Sequence, residues 1–222
     1  MRQFSERACN DAKTGAKMVD LANQFSVVKT RAVDYVTVQM GANDVCTSSE
    51  STMTPVSTFR AQLQSAMGSL AASSPTTQVY VISIPNIYQL WEVLKGNSSA
   101  RSTWALFGIC KSMLANANST RQADIDRRAR ARQRNIDFNI QLAQVCAIYP
   151  TCRFDNNAVF NTAFSASDVS TRDYFHPSLA GQAKLATVSL ERFWPGTITL
   201  RRFSAVDTAE YQCYTQLNRF TA

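Results

Sequence analysis

The sequence predicts an α/β sandwich around a mostly parallel sheet. Two apolar runs rich in β-branched residues, at 33–40 and 78–84, have the composition of buried strands. Helical patterns alternate with these runs, as they do in parallel α/β folds. Hydrophobic residues make up 45% of the 222 residues, which is enough for the core of one domain.

Each of these two predicted strands ends at a turn signal. The first run ends at Gly41-Ala42-Asn43-Asp44, and the second ends at Pro85. Residues 152–154 are predicted to form a short third strand. Ligand sites in such sheets lie beyond the carboxyl ends of the strands, so the 41–44 turn is a candidate part of a site.

Helical periodicity predicts five helices, at residues 16–24, 55–70, 100–114, 122–147 and 179–192. Gly15 is predicted to open the first of them. The apolar face of the fourth helix is predicted to be Ile125, Ala129, Ile136, Ile140 and Ala143. The corresponding face of the last helix is predicted to be Leu179, Ala183, Ala186 and Leu190.

The charge is concentrated in one predicted helix. The net charge is +7, and six arginines fall in a short stretch: Arg121, Arg127, Arg128, Arg130, Arg132 and Arg134. A solvated basic helix face is the favoured interpretation, because the stretch has no interleaved aromatics and no nucleic-acid motif. Binding of nucleic acid is the alternative that we rank last.

Six cysteines and the N-terminal segment bear on the cellular compartment. The cysteines form no C-x-x-C motif, and one histidine is too few for the usual metal sites, so we predict no metal. An even number suits an oxidising compartment. Cys146 and Cys152 flank a turn with Pro150 and are candidates for a local disulfide, with buried free thiols as the alternative. Residues 1–20 have no secretory signature, and no run is long enough to span a membrane.

His176 is the only histidine, and Asp173 precedes it by three residues in Asp173-Tyr174-Phe175-His176-Pro177. One loop can therefore present a general base together with the carboxylate that orients it. Near neutral pH, histidine is the side chain whose ordinary pKa suits this role.

Acyl transfer also needs donors for the developing oxyanion. The Asn43 side-chain amide and the Gly15 backbone N–H are the candidates, since both lie in segments predicted at the same sheet edge. Each has a structural alternative, because Asn43 can simply cap the next helix and Gly15 can be an ordinary turn glycine.

Taken together, these segments resemble the SGNH, or GDSL-type, hydrolases. Gly41-Ala42-Asn43-Asp44 is similar to the G-x-N-D block of that family, and residues 173–177 are similar to its D-x-x-H-P block. The segment from Lys13 to Leu21 resembles the one that holds the family's glycine. The similarity extends over about residues 10–195 and is greatest to secreted actinobacterial members.

The resemblance implies a three-layer α/β/α sandwich and hydrolysis of lipid, carbohydrate or other small esters without a cofactor. It implies that His176 and Asp173 complete a catalytic triad and that Gly15 and Asn43 line the oxyanion hole. It also implies secretion, with Cys46–Cys110 and Cys146–Cys152 as disulfides. Cys9 and Cys213 are left without predicted partners.

The sequence departs from the family at the nucleophile. None of its seven glycines begins a G-D-S block, and Ser5 matches nothing in that block. We therefore expect a chain that begins after its first block and lacks the first strand. The domain is predicted over residues 1–202 and a separate tail over 203–222.

Two functions follow from these residues. The first is a serine ester hydrolase with a Ser-His-Asp mechanism whose serine is unassigned. The second is a catalytically inactive remnant or binding protein that keeps the sandwich fold.

Overall fold

The computed structural model describes residues 10–193. The predictions made for Ser5, Cys9, Cys213 and the 203–222 tail fall outside the described residues, as does the side chain of Leu190.

Three parallel strands form the sheet in residues 10–193. They are β1 (Tyr35–Val38), β2 (Gln78–Val81) and β3 (Cys152–Phe154), in the order β1-β2-β3. Tyr35 pairs with Gln78, and Val79 pairs with Cys152. The prediction of an α/β fold with a parallel sheet is confirmed, and all three strands lie within the segments that the sequence predicted.

Helices make up most of the remaining regular structure between residues 10 and 193. They are α1 (Leu21–Arg31), α2 (Ala42–Val45), α3 (Val56–Ser73), α4 (Ile87–Leu94), α5 (Ser98–Phe107), α6 (Lys111–Leu114), α7 (Gln122–Cys146) and α8 (Leu179–Phe193). Short 3₁₀ helices occupy Met18–Asp20, Glu50–Thr52 and Ala166–Asp168.

The two faces of the sheet bury different side chains. Val79 and Val81 belong to the main core together with residues of α1, α3 and α7. Tyr80 alternates with them and packs on the opposite face, where Leu185 and Val188 of α8 cover it. Helices therefore lie on both faces of the sheet, because successive strand residues point to opposite sides.

Strand β2 ends three residues earlier than the sequence predicted. Asn139 of α7 explains this, because its side chain accepts from Ile84 N at 2.8 Å and donates to Ile84 O at 3.1 Å. This amide takes the place of a neighbouring strand at Ile84. The backbone past Val81 can therefore leave the sheet while its buried polar groups stay paired.

The helix predicted over 100–114 is broken in two, and α4 was not predicted. Gly108 and Cys110 have φ angles of +63° and +45°, which end α5 and restart the chain as α6. A left-handed glycine after the last helical residue is a common helix terminator. Asn86 begins α4 by accepting a hydrogen bond from Gln89 N.

The predicted apolar face of α7 is wrong. Ile125 and Ile140 are each 43% exposed, whereas the buried face includes the polar residues Arg128, Asn135 and Asn139. These polar side chains are buried because they hydrogen-bond to loop backbone; Asn135, for example, accepts from Ile87 N. Hydrophobic periodicity cannot detect such a face.

The predicted apolar face of α8 is also wrong. Leu179 is 85% exposed, and Ala183 and Ala186 are exposed as well. Gly181 fixes the rotation of the helix, because a Cβ there would lie 2.1 Å from the Asp168 carbonyl oxygen. Leu185 lies one turn further along, on the face that contacts the sheet.

The arginine-rich stretch is used within the fold. Arg128 is 3% exposed and donates to the Ser119 carbonyl, and Arg127 donates to the carbonyls of Ser112 and Ala115. Arg134 donates to the Thr54 carbonyl. The prediction of a solvated basic face is therefore wrong for Arg128, because the guanidinium groups of α7 satisfy loop carbonyls that would otherwise lack donors.

Gly41 makes the turn after β1 possible. Its φ angle is +115°, and a Cβ would lie 2.4 Å from Ile84 Cδ1 and 3.1 Å from Phe59 Cε2. A side chain at this position is disfavoured both by the backbone conformation and by two buried neighbours.

We predict that Gly41→Ala lowers the free energy of unfolding by about 1–3 kcal/mol, because it combines a disfavoured φ with displacement of Ile84. Urea unfolding followed by circular dichroism measures this. Gly96→Ala is the matched control, since a Cβ at Gly96 meets nothing within 4 Å and its φ is not positive. Equal effects of the two substitutions would contradict the explanation.

Candidate active site

Asn43 lies in the first turn of α2, directly beyond the carboxyl end of β1. Its side-chain Nδ2 donates to the Ala16 carbonyl at 2.9 Å. The bond places Asn43 beside the segment that contains Gly15. An amide nitrogen carries two hydrogens, and this contact uses one of them, so the second can be donated to a ligand.

Gly15 does not open a helix, contrary to the prediction. It lies in a turn closed by a hydrogen bond from Ala16 N to Lys13 O, and helical structure begins at Met18. Its φ of +75° is the reason a glycine suits this turn. The residue is exposed, and its N–H has no hydrogen-bond partner within residues 10–193.

Asp44 connects the turn that contains Asn43 to the segment that follows Gly15. The carboxylate has no exposed surface, and it accepts hydrogen bonds from Met18 N at 2.9 Å and from Thr54 Oγ1 at 2.7 Å. Burial raises the pKa of Asp44, and the hydrogen bonds from Thr54 and Met18 only partly oppose this effect.

The single histidine is paired with the predicted carboxylate. His176 Nδ1 lies 2.5 Å from Asp173 Oδ2, and Asp173 Oδ1 accepts from the backbone N–H groups of Phe175 and His176. Burial by itself would raise the pKa of Asp173, but these hydrogen bonds outweigh it and hold the pKa below its ordinary value. The carboxylate is thus ionised at neutral pH, and Nδ1 carries the hydrogen between them.

A hydrogen bond from Trp104 holds the loop that contains Asp173 and His176. Tyr174 lies between Asp173 and His176 and has a φ of +55°, which is unusual for a residue with a side chain. The buried Trp104 of α5 donates its indole N–H to the Tyr174 carbonyl at 2.9 Å. This bond orients the peptide that follows the strained residue.

A covalent and hydrogen-bonded clamp connects the Asn43 turn to α6, the helix that follows the one containing Trp104. The Cys46–Cys110 disulfide joins the end of α2 to the start of α6. Ser112 adds a hydrogen bond to the Val45 carbonyl at 2.6 Å and another from the Thr47 N–H at 3.1 Å. The predicted Cys46–Cys110 bridge is confirmed, and so is the bridge between residues 146 and 152.

The structure therefore assembles the predicted residues as two pairs. Asp173 contacts His176, and Asn43 contacts the segment of Gly15. Within residues 10–193 no hydrogen bond joins one pair to the other directly, and their connection passes through the clamp and Trp104. Sequence reasoning missed the role of Trp104, because its partner is a backbone carbonyl 70 positions away.

Two further observations concern other kinds of site. In the described part of the chain, no cluster of three or more His, Cys, Asp or Glu side chains has a metal-binding arrangement. None of the helices in residues 10–193 has both the length and the apolar content needed to cross a membrane.

Residues 2–188 match the family model of GDSL-like Lipase/Acylhydrolase. The match extends over most of the chain, so the protein belongs to this family, whose members are generally hydrolases that act on ester bonds. Comparison with curated proteins found no match, and comparison with solved structures found none either.

We predict that burial of Asp44 makes its contribution to stability pH-dependent. Its folded pKa is raised, so the folded state binds the proton more tightly, and stability from this group falls as pH rises from about 4 through the raised pKa. Asp44→Asn removes this loss, so its stability relative to wild type should rise between about pH 4 and pH 7.

Asp44→Ala should instead cost about 1–3 kcal/mol for each orphaned buried donor. Urea unfolding at several pH values measures both variants, with the exposed Glu92→Gln as control. A pH profile of Asp44→Asn that runs parallel to wild type would rule out burial as the cause.

We predict that Trp104→Phe disorders the His176 imidazole while the protein stays folded. The variant keeps an aromatic ring but loses the donor to Tyr174, so the loop can relax and the Nδ1–Asp173 contact weakens. Nitrogen-15 NMR reports this directly, because the protein has one histidine. The chemical shifts of its two ring nitrogens should move from those of the Nδ1-protonated tautomer toward those of an imidazole that exchanges between both tautomers.

Trp91→Phe is the matched control, since Trp91 is also buried and donates its indole N–H to a carbonyl, that of Ala117. It should leave the imidazole signals unchanged. If both variants shift them equally, Trp104 has no specific positioning role.

Proposed function

We propose that this protein is an acyl ester hydrolase in which His176 is the general base and Asp173 its orienting carboxylate. The contact of 2.5 Å between His176 Nδ1 and Asp173 Oδ2 carries the proposal. The carboxylate fixes the hydrogen on Nδ1, which leaves Nε2 free to accept a proton. The His176 side chain is 67% exposed, so that nitrogen is accessible to a nucleophile and substrate.

The other pair supplies donors for the oxyanion. The Gly15 N–H and the second hydrogen of Asn43 Nδ2 would stabilise the negative charge on the former carbonyl oxygen. The Ala16 carbonyl supports this role, because its bond with Asn43 fixes the side-chain orientation before substrate binds. A donor oriented in advance needs no reorganisation during the reaction.

The reaction proceeds in two halves. His176 Nε2 takes the proton of the nucleophile as it attacks the ester carbonyl, and Asp173 stabilises the imidazolium that results. His176 then returns the proton to the departing alcohol. Water attacks the acyl-enzyme with the same imidazole as base, releasing the acid and restoring the nucleophile.

The nucleophile is the unassigned member of this mechanism. No glycine of the sequence begins a G-D-S block, and this observation favours the second candidate function, a binding protein that keeps the fold without turnover. We propose small, lipid or carbohydrate esters as substrates, without a cofactor, metal or nucleic acid. Two disulfides support secretion, because such bridges persist in oxidising compartments.

We predict that the chain hydrolyses p-nitrophenyl acetate and that His176→Ala lowers the rate by roughly 10³-fold or more. Asp173→Asn should lower it strongly too, because the imidazole loses the carboxylate that fixes its tautomer. Release of p-nitrophenol is followed by absorbance, with Glu92→Gln as a control that keeps wild-type activity. Absence of turnover in a folded wild-type chain would favour the non-catalytic binding protein.

Labelling with a fluorophosphonate probe identifies the nucleophile. The probe should modify one serine, and the reaction should require His176. Peptide mass spectrometry locates the modified residue. Turnover without any labelled serine would contradict the Ser-His-Asp mechanism.

A further inference from the structure

Large apolar side chains are exposed at seven positions in the described part of the chain: Val19, Leu106, Phe107, Ile125, Ile140, Ile148 and Leu179. Four of the seven adjoin segments of the proposed active site. Val19 follows the Gly15 turn, Leu179 follows His176, and Leu106 and Phe107 complete the helix that carries Trp104. Contiguous exposed apolar side chains commonly mark a surface for binding.

Leu106 and Phe107 are the most prominent of these residues. They are consecutive and are 78% and 71% exposed, at the last turn of α5. The same helix buries Ala100 and Trp104. The apolar pair is thus not the core-facing side of α5, and it presents hydrocarbon to water at a cost that binding to an apolar phase would remove.

This helix end is rigidly held on both sides. Trp104 bonds to the Tyr174 carbonyl, and Cys110, three residues after Phe107, is bridged to Cys46. Gly108 ends the helix, and the next residue, Ile109, donates its backbone N–H to Trp104 O. Docking through Leu106 and Phe107 therefore costs little conformational entropy.

The charge around the pair points to the chemistry of the partner. The stretch from Val93 to Ala123 contains lysines and arginines but no aspartate or glutamate. Lys111 is exposed and forms no salt bridge within residues 10–193, and its side chain lies beside Gly108, the residue that follows Phe107. A hydrophobic pair with a cation beside it, in a stretch without acidic residues, is complementary to an anionic lipid surface, where apolar side chains enter the acyl region and cations meet the headgroups.

We propose that Leu106 and Phe107 dock the protein on anionic lipid surfaces. The docked helix end is bonded through Trp104 to the loop of Asp173 and His176, so the surface is presented close to the general base. The substrate is then an ester held in that surface rather than a dissolved one. This last step rests on the proposed hydrolase function, whereas the docking itself does not.

Sedimentation with phosphatidylcholine–phosphatidylglycerol vesicles tests the docking. The wild-type chain should bind, and Leu106→Ser combined with Phe107→Ser should weaken binding by at least about tenfold. Binding should also fall with added salt and with pure phosphatidylcholine, because the cations then lose their partners. The double variant should keep the wild-type melting temperature, since both side chains are exposed.

Ile125→Ser combined with Ile140→Ser is the matched control. Both residues are exposed isoleucines on a different helix, α7, so this variant should bind vesicles as the wild type does. Equal loss in both double variants, or no vesicle binding by the wild type, would overturn the proposal. A dimer in sedimentation velocity that is lost only in the Leu106/Phe107 variant, without vesicle binding, would overturn it in favour of a second copy as the occupant.

Vesicle binding and ester turnover test the docking proposal and the hydrolase proposal separately, so either proposal can fail alone. A chain that binds vesicles but hydrolyses no ester would retain the docking surface and lose the hydrolase proposal. A chain that hydrolyses p-nitrophenyl acetate without binding vesicles would show the reverse.

Discussion

The position of the candidate active site depends on a carboxylate with no exposed surface, that of Asp44. A buried charge is unfavourable unless hydrogen-bond donors surround it. Its donors come from Met18, in the segment that follows Gly15, and from Thr54, at the approach to α3. Satisfying this one charge therefore brings two separate segments onto the turn after β1, and Asn43 is positioned as a consequence.

A second set of contacts relates this turn to the histidine loop. The Cys46–Cys110 bridge and the hydrogen bonds of Ser112 tie the exit of α2 to α6. Trp104 then extends the connection from α5 to the peptide between Asp173 and His176. The two halves of the site are thus connected through helices. Because helices are stiffer than loops, they hold the two halves in place more precisely than loops would.

Buried polar residues on α7 show why a basic sequence need not mean a basic binding surface. The irregular segments around this helix contain carbonyl groups that need donors, and arginine offers five N–H groups on a long side chain. Arg127, Arg128 and Arg134 serve these carbonyls. Much of the charge that is prominent in the sequence is thereby committed to holding loops in place.

The sequence by itself determined the strands, the approximate helices and the pairing of Asp173 with His176, because each depends on residues close together in the chain. Only the tertiary structure decided the buried faces of α7 and α8 and the role of Trp104. These features rest on contacts between distant segments, often with a backbone carbonyl as one partner. Since every residue has that carbonyl, nothing in the sequence marks the one that is used.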